Sequence, residues 1–271
     1  MDIINLKIRP DWPKSKEETW NELFEPLVDQ PTLQHSVNSP RQYEMVHSNI
    51  CFPFPAYYAA AVILFAVLLT GFLYTKTTTT IRGEHTVVQL PDRSTVTLNA
   101  ESKLSYKPYT WFISRKVNLQ GEACFDVRQG NRFSVQSGRN QTNVLGTTFN
   151  VYTRHDMYRV TCLTGKVEVY AGGETAVLTP MMQAVFDKRE FTVSNNISPA
   201  AATGWIAGKF VFDNTPLSEV IAEVERQYNI DVAPDYDPNH LFSGNFSHTD
   251  TPEETLEIIG KAFGIKFSVV R

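Results

Sequence analysis

Val88-Gln89-Leu90, then Pro91-Asp92, then Val96-Thr97-Leu98: two short runs of alternating apolar and polar side chains flank a pair of turn-forming residues. Successive side chains on a strand point to opposite faces, so such alternation specifies a strand with one buried face. Proline presets the backbone of a turn, and aspartate bonds nearby amides. The same unit recurs at Val117-Asn118-Leu119, Phe133-Ser134-Val135 and Tyr158-Arg159-Val160, punctuated by Gln120-Gly121, Gly130-Asn131, Thr164-Gly165 and Gly172-Gly173. Many short strands with little helix between them predict an all-β sandwich or rolled sheet over residues 82–195.

Working toward the N-terminus, Lys76 to Thr80 reads as a short polar connector, and before it lies an uncharged stretch from Ser48 to Thr75. Its densest part, Ala56 to Tyr74, has 19 residues. As a helix it would be about 28 Å long, close to the thickness of bilayer hydrocarbon. Pro53 and Pro55 stand where a first turn tolerates proline, and Tyr57, Tyr58 and Tyr74 stand near the ends, where amphipathic rings favour the interface. A single transmembrane helix over residues 54–75 is expected. A secretory signal would begin closer to the N-terminus and with a basic region, which fifty mostly polar residues here replace. Charge near the run (Arg41 against Glu44, Lys76 and Arg82 against Glu84) does not orient it.

Residues 1–50 form the polar front. Trp20, Leu23, Phe24, Leu27 and Val28 recur at three- and four-residue intervals and make one apolar face of a short helical segment, interrupted at Pro26; residues 30–50 read as linker. So short a segment buries little of its own apolar face, which leaves folding upon a partner or a disordered tail.

Toward the C-terminus the pattern changes. Pro199 with Ala200 to Ala202 reads as a loop. Phe210-Val211-Phe212 predicts a strand, Thr215-Pro216 a helix start with Leu217, Val220, Ile221 and Val224 inside, and Ile230-Asp231-Val232 a second strand. The plan repeats at Phe246, Thr251-Pro252, Leu256 to Ile259, and Ile265-Lys266-Phe267. Threonine can cap while proline fills the first turn. Two βαβ-like units make a small α+β domain over residues 205–271.

A net charge of -4 without a basic block argues against direct nucleic-acid binding. His35, His47, His85, His155, His240 and His248 include no helical zinc pair, no glycine-rich phosphate loop follows a strand, and the carboxylates Glu122 and Asp126, or Asp235 and Asp237, carry no sign of an active site beyond proximity. Neither catalysis nor a cofactor or metal is expected. Cys124 and Cys162 fall in strand-like segments and could either pair across the sheet or pack as thiols, whereas Cys51 lies at the membrane edge. Asp92, Gly121 and Gly146 have structural roles at turns or close backbone approaches, and Phe125, Val127, Phe149 and Val151 alternate as core residues.

Arg82-Gly83-Glu84, Leu90-Pro91-Asp92 with Leu98-Asn99-Ala100, Gly121-Glu122-Ala123 with Phe125-Asp126-Val127, Leu145-Gly146-Thr147 with Phe149-Asn150-Val151, and Thr164-Gly165-Lys166-Val167 resemble the signature blocks of FecR-type anti-sigma factors. Trp205, Phe210, Phe212, Asn214, Leu217 and Tyr228 resemble the C-terminal signalling domain of the Bacteroidetes branch. The resemblance implies an inner-membrane, single-pass protein with a cytoplasmic N-terminus and periplasmic C-terminal domains. It implies an extracytoplasmic-function sigma factor as inner partner, docked on Trp20, Leu23, Phe24 and Leu27. On the outside it implies a TonB-dependent outer-membrane transducer facing the domain that carries Phe212, Asn214 and Tyr228. An intramembrane protease enters as the means of release. Two positions depart from the family pattern: Arg93 and Met181 stand where glycine is usual. The alternative reading is a membrane-anchored periplasmic binding or assembly module without sigma-factor binding.

Overall fold

The computed structural model describes Glu18 and residues 54–270, with side chains from residue 57 onward. Trp20, Leu23, Phe24 and Leu27 lie outside the described residues. Helix α1 (Phe54–Leu73) is 20 residues long and carries no charge. Its apolar side chains are exposed along its whole described length, Phe65 at 66% and Leu68 at 63%. Among the described residues no helix is long and apolar enough to cross a membrane.

A sheet of thirteen strands follows, and its seam is the 12-residue strand β5 (Arg115–Asp126). The first half of β5 pairs antiparallel with β4 (Ser102–Tyr106) and parallel with β6 (Phe133–Ser137). Its second half pairs antiparallel with β3 (Thr95–Leu98) and β8 (Thr148–Arg154). One layer continues through β1 (Lys76–Thr80) beside β4, and through β7 (Asn140–Val144), β10 (Val167–Ala171) and β11 (Glu174–Leu178) beyond β6. The other continues through β2 (Thr86–Gln89) beside β3, and through β9 (Met157–Cys162), β12 (Gln183–Asp187) and β13 (Glu190–Ser194) beyond β8. The strand therefore changes layers midway, at Gly121, where φ is 97° and a Cβ would stand 2.7 Å from the Ser102 Cα and 2.8 Å from the Glu101 carbonyl. Only glycine fits both the backbone conformation and the space.

The alternating apolar residues meet between the layers. Val96, Leu98, Leu104, Val117, Leu119, Phe125, Phe133, Phe149, Val151 and Val160 are all buried, and the rings of Phe125 and Phe133, one from each half of the sandwich, lie 6.1 Å apart. Lys76–Thr80, expected as a connector, is an edge strand: four β-branched threonines suit extended backbone, and the segment pairs along its length with β4. Arg93 and Met181 adopt φ of 67° and 68°, left-handed backbone that explains why glycine would stand there. Cys124 and Cys162 are free thiols on β5 and β9, separated in the sheet by β8. Burial pushes both up, Cys124 to about 12 and Cys162 to about 11.

Pro199–Thr203, expected as a loop, forms the short helix α2, continued by a 3-10 turn to Ala207. Then come β14 (Lys209–Pro216), α3 (Leu217–Tyr228), β15 (Asp231–Val232), β16 (Leu241–Ser247), α4 (Pro252–Lys261) and β17 (Val269–Val270). The order of elements is that of two βαβ units, but the pairing is not. β14 pairs antiparallel with β16, and β15 with β17, so each strand finds its partner in the other unit. The final strand lies at 269–270 rather than 265–267, and Phe267 and Val269 both pack against the core formed by Phe210, Leu217, Val220, Ile221, Val224, Leu256 and Ile259. Thr251 caps α4 by accepting from the Glu254 amide (3.4 Å). Thr215 does not cap α3: it belongs to β14, and its hydroxyl donates to the Asp213 carbonyl (3.2 Å).

Candidate functional site

Helix α3 has two different faces. Leu217, Val220, Ile221 and Val224 enter the C-terminal core, while Glu219, Glu223, Arg226 and Gln227, at helical three- and four-residue spacing, face the β body. Gln227 donates to Asn99 Oδ1 (2.7 Å) and to Glu223 Oε1 (2.7 Å). Asn99 in turn donates to Glu122 Oε2 (2.8 Å) and Glu223 Oε1 (3.3 Å), and Asn150 donates to Glu122 Oε1 (2.8 Å). Two carboxylates, one from β5 and one from α3, thus share an asparagine between them. Arg226, only 4% exposed, pairs with Glu223 Oε2 at 2.7 Å, and Arg159 pairs with Glu219 at 3.1 Å.

Charges so deeply buried persist only when paired and hydrogen-bonded. The network assigns unequal roles to its two acids. Burial, and then the charge of Glu223, raise Glu122 above the usual carboxylate range against the opposing pull of Asn150, Arg154 and Asn99. Burial also opposes ionisation of Glu223, but Arg226 and Gln227 prevail and hold it below the usual range. Arg154 is lowered by burial and by the neighbouring Arg226, with its guanidinium donating to the Ala100 and Glu101 carbonyls. The junction is therefore an ion pair beside a buried carboxyl whose surroundings favour its neutral form.

A second set of contacts grips the far end of α3. The Gly83 amide donates to the Arg226 carbonyl (2.8 Å), Arg82 donates to Asp231 Oδ1 (2.7 Å) and to the Ile230 carbonyl (3.3 Å), and His85 lies 3.0 Å from Gln227 Oε1. Gly83 sits at φ 76° and supplies a donor to carbonyls that a helix end leaves unpaired. These residues directly follow β1, so the segment emerging from α1 and β1 clasps the C-terminal region. Beside the junction opens a cleft of about 690 Å³, walled by Arg159 and Gln183 on one side and Trp205, Lys209, Asp213 and Asn245 on the other. The buried Oδ1 of Asn150 borders it without a hydrogen-bond partner.

Of Phe212, Asn214 and Tyr228, named from the sequence as marks of the transducer-facing domain, Phe212 and Tyr228 both stack on Phe210, at 6.0 and 6.2 Å, and Asn214 joins neither contact. Phe212 packs against the C-terminal core, edge-on to Phe242 at 5.9 Å. Tyr228 stacks on His248 at 4.0 Å, and its hydroxyl lies 2.9 Å from the Thr249 carbonyl, to which it donates. Asn214 is exposed at the β14 bulge, with φ 47° and its amide on Ser243 Oγ. Asp92 accepts from the Ser94 amide (3.0 Å) and Arg115 Nε (2.7 Å), closing the β2–β3 turn, and Gly146 packs where a Cβ would meet the Gln129 Cα at 2.6 Å. Sequence reasoning missed the junction residues Glu122, Glu223, Arg226 and Gln227. The polar stripe on α3 was legible, but a solvated face carries the same stripe.

A sequence profile of the FecR protein matches residues 76–168, and one of the FecR C-terminal region matches residues 209–271. Among curated proteins none matches the chain. Two crystal structures, at 2.50 and 1.65 Å resolution, of a candidate anti-sigma factor from Parabacteroides distasonis ATCC 8503 superpose with a TM-score of 0.66 and 28% identity. They cover 73% and 72% of this chain and 99% of their own. The two matched regions are the two partners of the junction: Asn99, Glu122 and Asn150 lie in the first, Glu223, Arg226 and Gln227 in the second. With both regions present in order, and aligned to a solved candidate anti-sigma factor over nearly all of that protein's length, the chain belongs to the FecR family of anti-sigma factors, which are regulatory and not catalytic proteins.

Proposed function

We propose that this regulator spans the inner membrane once through α1, holds an extracytoplasmic-function sigma factor with its N-terminal segment, and receives its signal from a TonB-dependent outer-membrane transducer on the periplasmic side. The observation that carries the reading is the pairing of the FecR and FecR C-terminal regions in one chain, with likeness to an anti-sigma relative. The membrane assignment is supported by α1 itself, 20 residues without a charge and with apolar side chains exposed along its described length. A helix apolar on all sides calls for an apolar surrounding, and among the described residues its side chains stay exposed.

Trp20, Leu23, Phe24 and Leu27 are the inner docking face, since aromatic anchors contribute disproportionately at protein interfaces. The C-terminal region is the receiving module, and because a single helix transmits bending poorly, release of the inner segment by cleavage near α1, with an intramembrane protease as the last actor, completes the relay. The test is co-purification of residues 1–50 with the sigma factors of the same cell, natural segment against Trp20→Ala with Phe24→Ala. Capture of one sigma factor, lost in the double variant, is the expected result. Intact segments that capture none would leave a membrane-anchored periplasmic binding module instead.

A further inference from the structure

The loop between β4 and β5 is held rigidly yet presents its apolar side chains outward. A 3-10 turn at Pro108–Thr110 opens it, and the amides of Ile113 and Ser114 bond back to the Thr110 carbonyl at 3.0 and 3.1 Å. Trp111 turns inward, edge-on to Tyr106 at 5.6 Å and Phe133 at 5.9 Å. With Trp111 pinned in the core, its neighbours are driven out: Tyr109 is 64% exposed, Phe112 83% and Ile113 68%. Single exposed apolar residues are ordinary on protein surfaces, but three within five positions of a fixed loop form a patch.

Its surroundings say what covers it. The Tyr109 ring meets that of Tyr74 at 5.6 Å, and Lys107 Nζ lies 5.5 Å over the ring of Phe72. Phe72 is in the last turn of α1 and Tyr74 directly follows it, so the patch adjoins the end of an uncharged helix. Lys76 stands opposite Tyr106 in the β1–β4 ladder, and Lys107 and Lys116 flank the loop. None of these three lysines has an ion-pair partner among the described residues. Aromatic rings, an aliphatic tip and unpaired lysines beside the end of an uncharged helix form the combination that partitions to the lipid headgroup region.

We propose that Tyr109–Ile113 is an interfacial membrane anchor, in which Phe112 and Ile113 enter the headgroup–acyl boundary, Tyr109 and Tyr74 lie among the headgroups, and Lys76, Lys107 and Lys116 contact anionic lipid. The inference rests on the reading of α1 as a spanning helix. Its consequence is orientation: one helix alone leaves the β body free to swivel, whereas a second contact beside it fixes the tilt of the whole exterior part against the bilayer.

The experiment uses the full chain in nanodiscs containing a share of anionic lipid, with Cys51, Cys124 and Cys162 replaced by alanine. A fluorophore is placed in turn at Ser114→Cys beside the tip, at Leu64→Cys within α1, and at Val177→Cys on the far edge strand β11, a position 57% exposed. Shallow spin-labelled lipid should quench the 114 probe about twofold or more beyond the 177 probe, while deep spin-labelled lipid quenches the 64 probe. Phe112→Asp with Ile113→Asp should bring the 114 probe down to the level of 177. A 114 probe quenched no more than 177, with 64 quenched, overturns the anchor and leaves the span intact; if another protein rather than lipid covers the patch, this is the outcome. An unquenched 64 probe overturns the span, and the anchor with it.

Discussion

Arg93 and Met181 occupy backbone that suits glycine, at φ 67° and 68°, and neither has a β-branch to make the conformation prohibitive. Left-handed backbone costs an L-residue roughly 1–2 kcal/mol, part of which glycine returns as extra entropy in the unfolded chain. Arg93→Gly and Met181→Gly should therefore each stabilise the fold by up to about 1 kcal/mol in urea unfolding at neutral pH. Unchanged or lowered midpoints for both would mean that the two side chains stabilise these turns in ways their backbone does not reveal. Gly121 is the opposite case, a place where any side chain collides with Ser102 and Glu101. These backbone demands were legible in the sequence only in outline. A glycine beside a strand pattern announces a turn or close approach, but nothing in Leu119-Gln120-Gly121-Glu122 says that one strand there leaves one layer for another. That depends on which strands lie on either side, a non-local choice.

Among the elements, α3 and β1 carry the coupling, and each was half readable. The apolar stripe of α3 predicted a buried face, yet its polar stripe gave no hint of burial against Asn99 and Glu122, since charged residues on a helix are ordinarily solvated. For β1, the run of threonines was read as a connector because alternation was absent; its pairing with β4 needed the partner to be known. The clasp ties the two elements together through Arg82, Gly83 and His85. Gln227→Ala with Asp231→Ala removes the contacts of Gln227 with Asn99 and His85 and the bond of Arg82 to Asp231, while Asn99 to Glu223 and Arg159 to Glu219 remain. Each such bond is worth on the order of 1 kcal/mol, so amides of Lys76–Thr80 should exchange with solvent about tenfold faster, with β5 and β8 unaffected. Hydrogen exchange read by mass spectrometry checks this. Equal acceleration in β5 would mean general loosening, and no acceleration in β1 would show that the β4 ladder alone retains it.

In the whole molecule, the junction joins two hydrophobic cores through a polar network built around the buried carboxyl of Glu122. That group is raised above the usual carboxylate range, by burial first and by Glu223 second. Its folded form thus favours the proton, so its contribution to stability is complete below the unfolded value and is lost as pH rises through the folded one. Glu223 and Asp92 are lowered and act in the opposite sense, their contributions present above the unfolded carboxylate range and lost as pH falls through their folded values. The groups around Glu122 (Asn99, Asn150, Tyr152, Arg154, Glu223 and Arg226) come from both partners of the junction, so ionising it strains their contact before it strains either core. Residues 76–271 contain two tryptophans, Trp111 in the β core and Trp205 beside His85 at the junction, which report the two sides separately. In mildly acidic buffer their urea transitions should coincide. As pH rises above the unfolded carboxylate range the Trp205 transition should fall to lower urea while Trp111 moves less, and Glu122→Gln, neutral at every pH, should keep the two together throughout. If the natural chain and Glu122→Gln separate equally as pH rises, the pH response belongs to some other group, and the titration of Glu122 does not govern how the C-terminal region holds the β body.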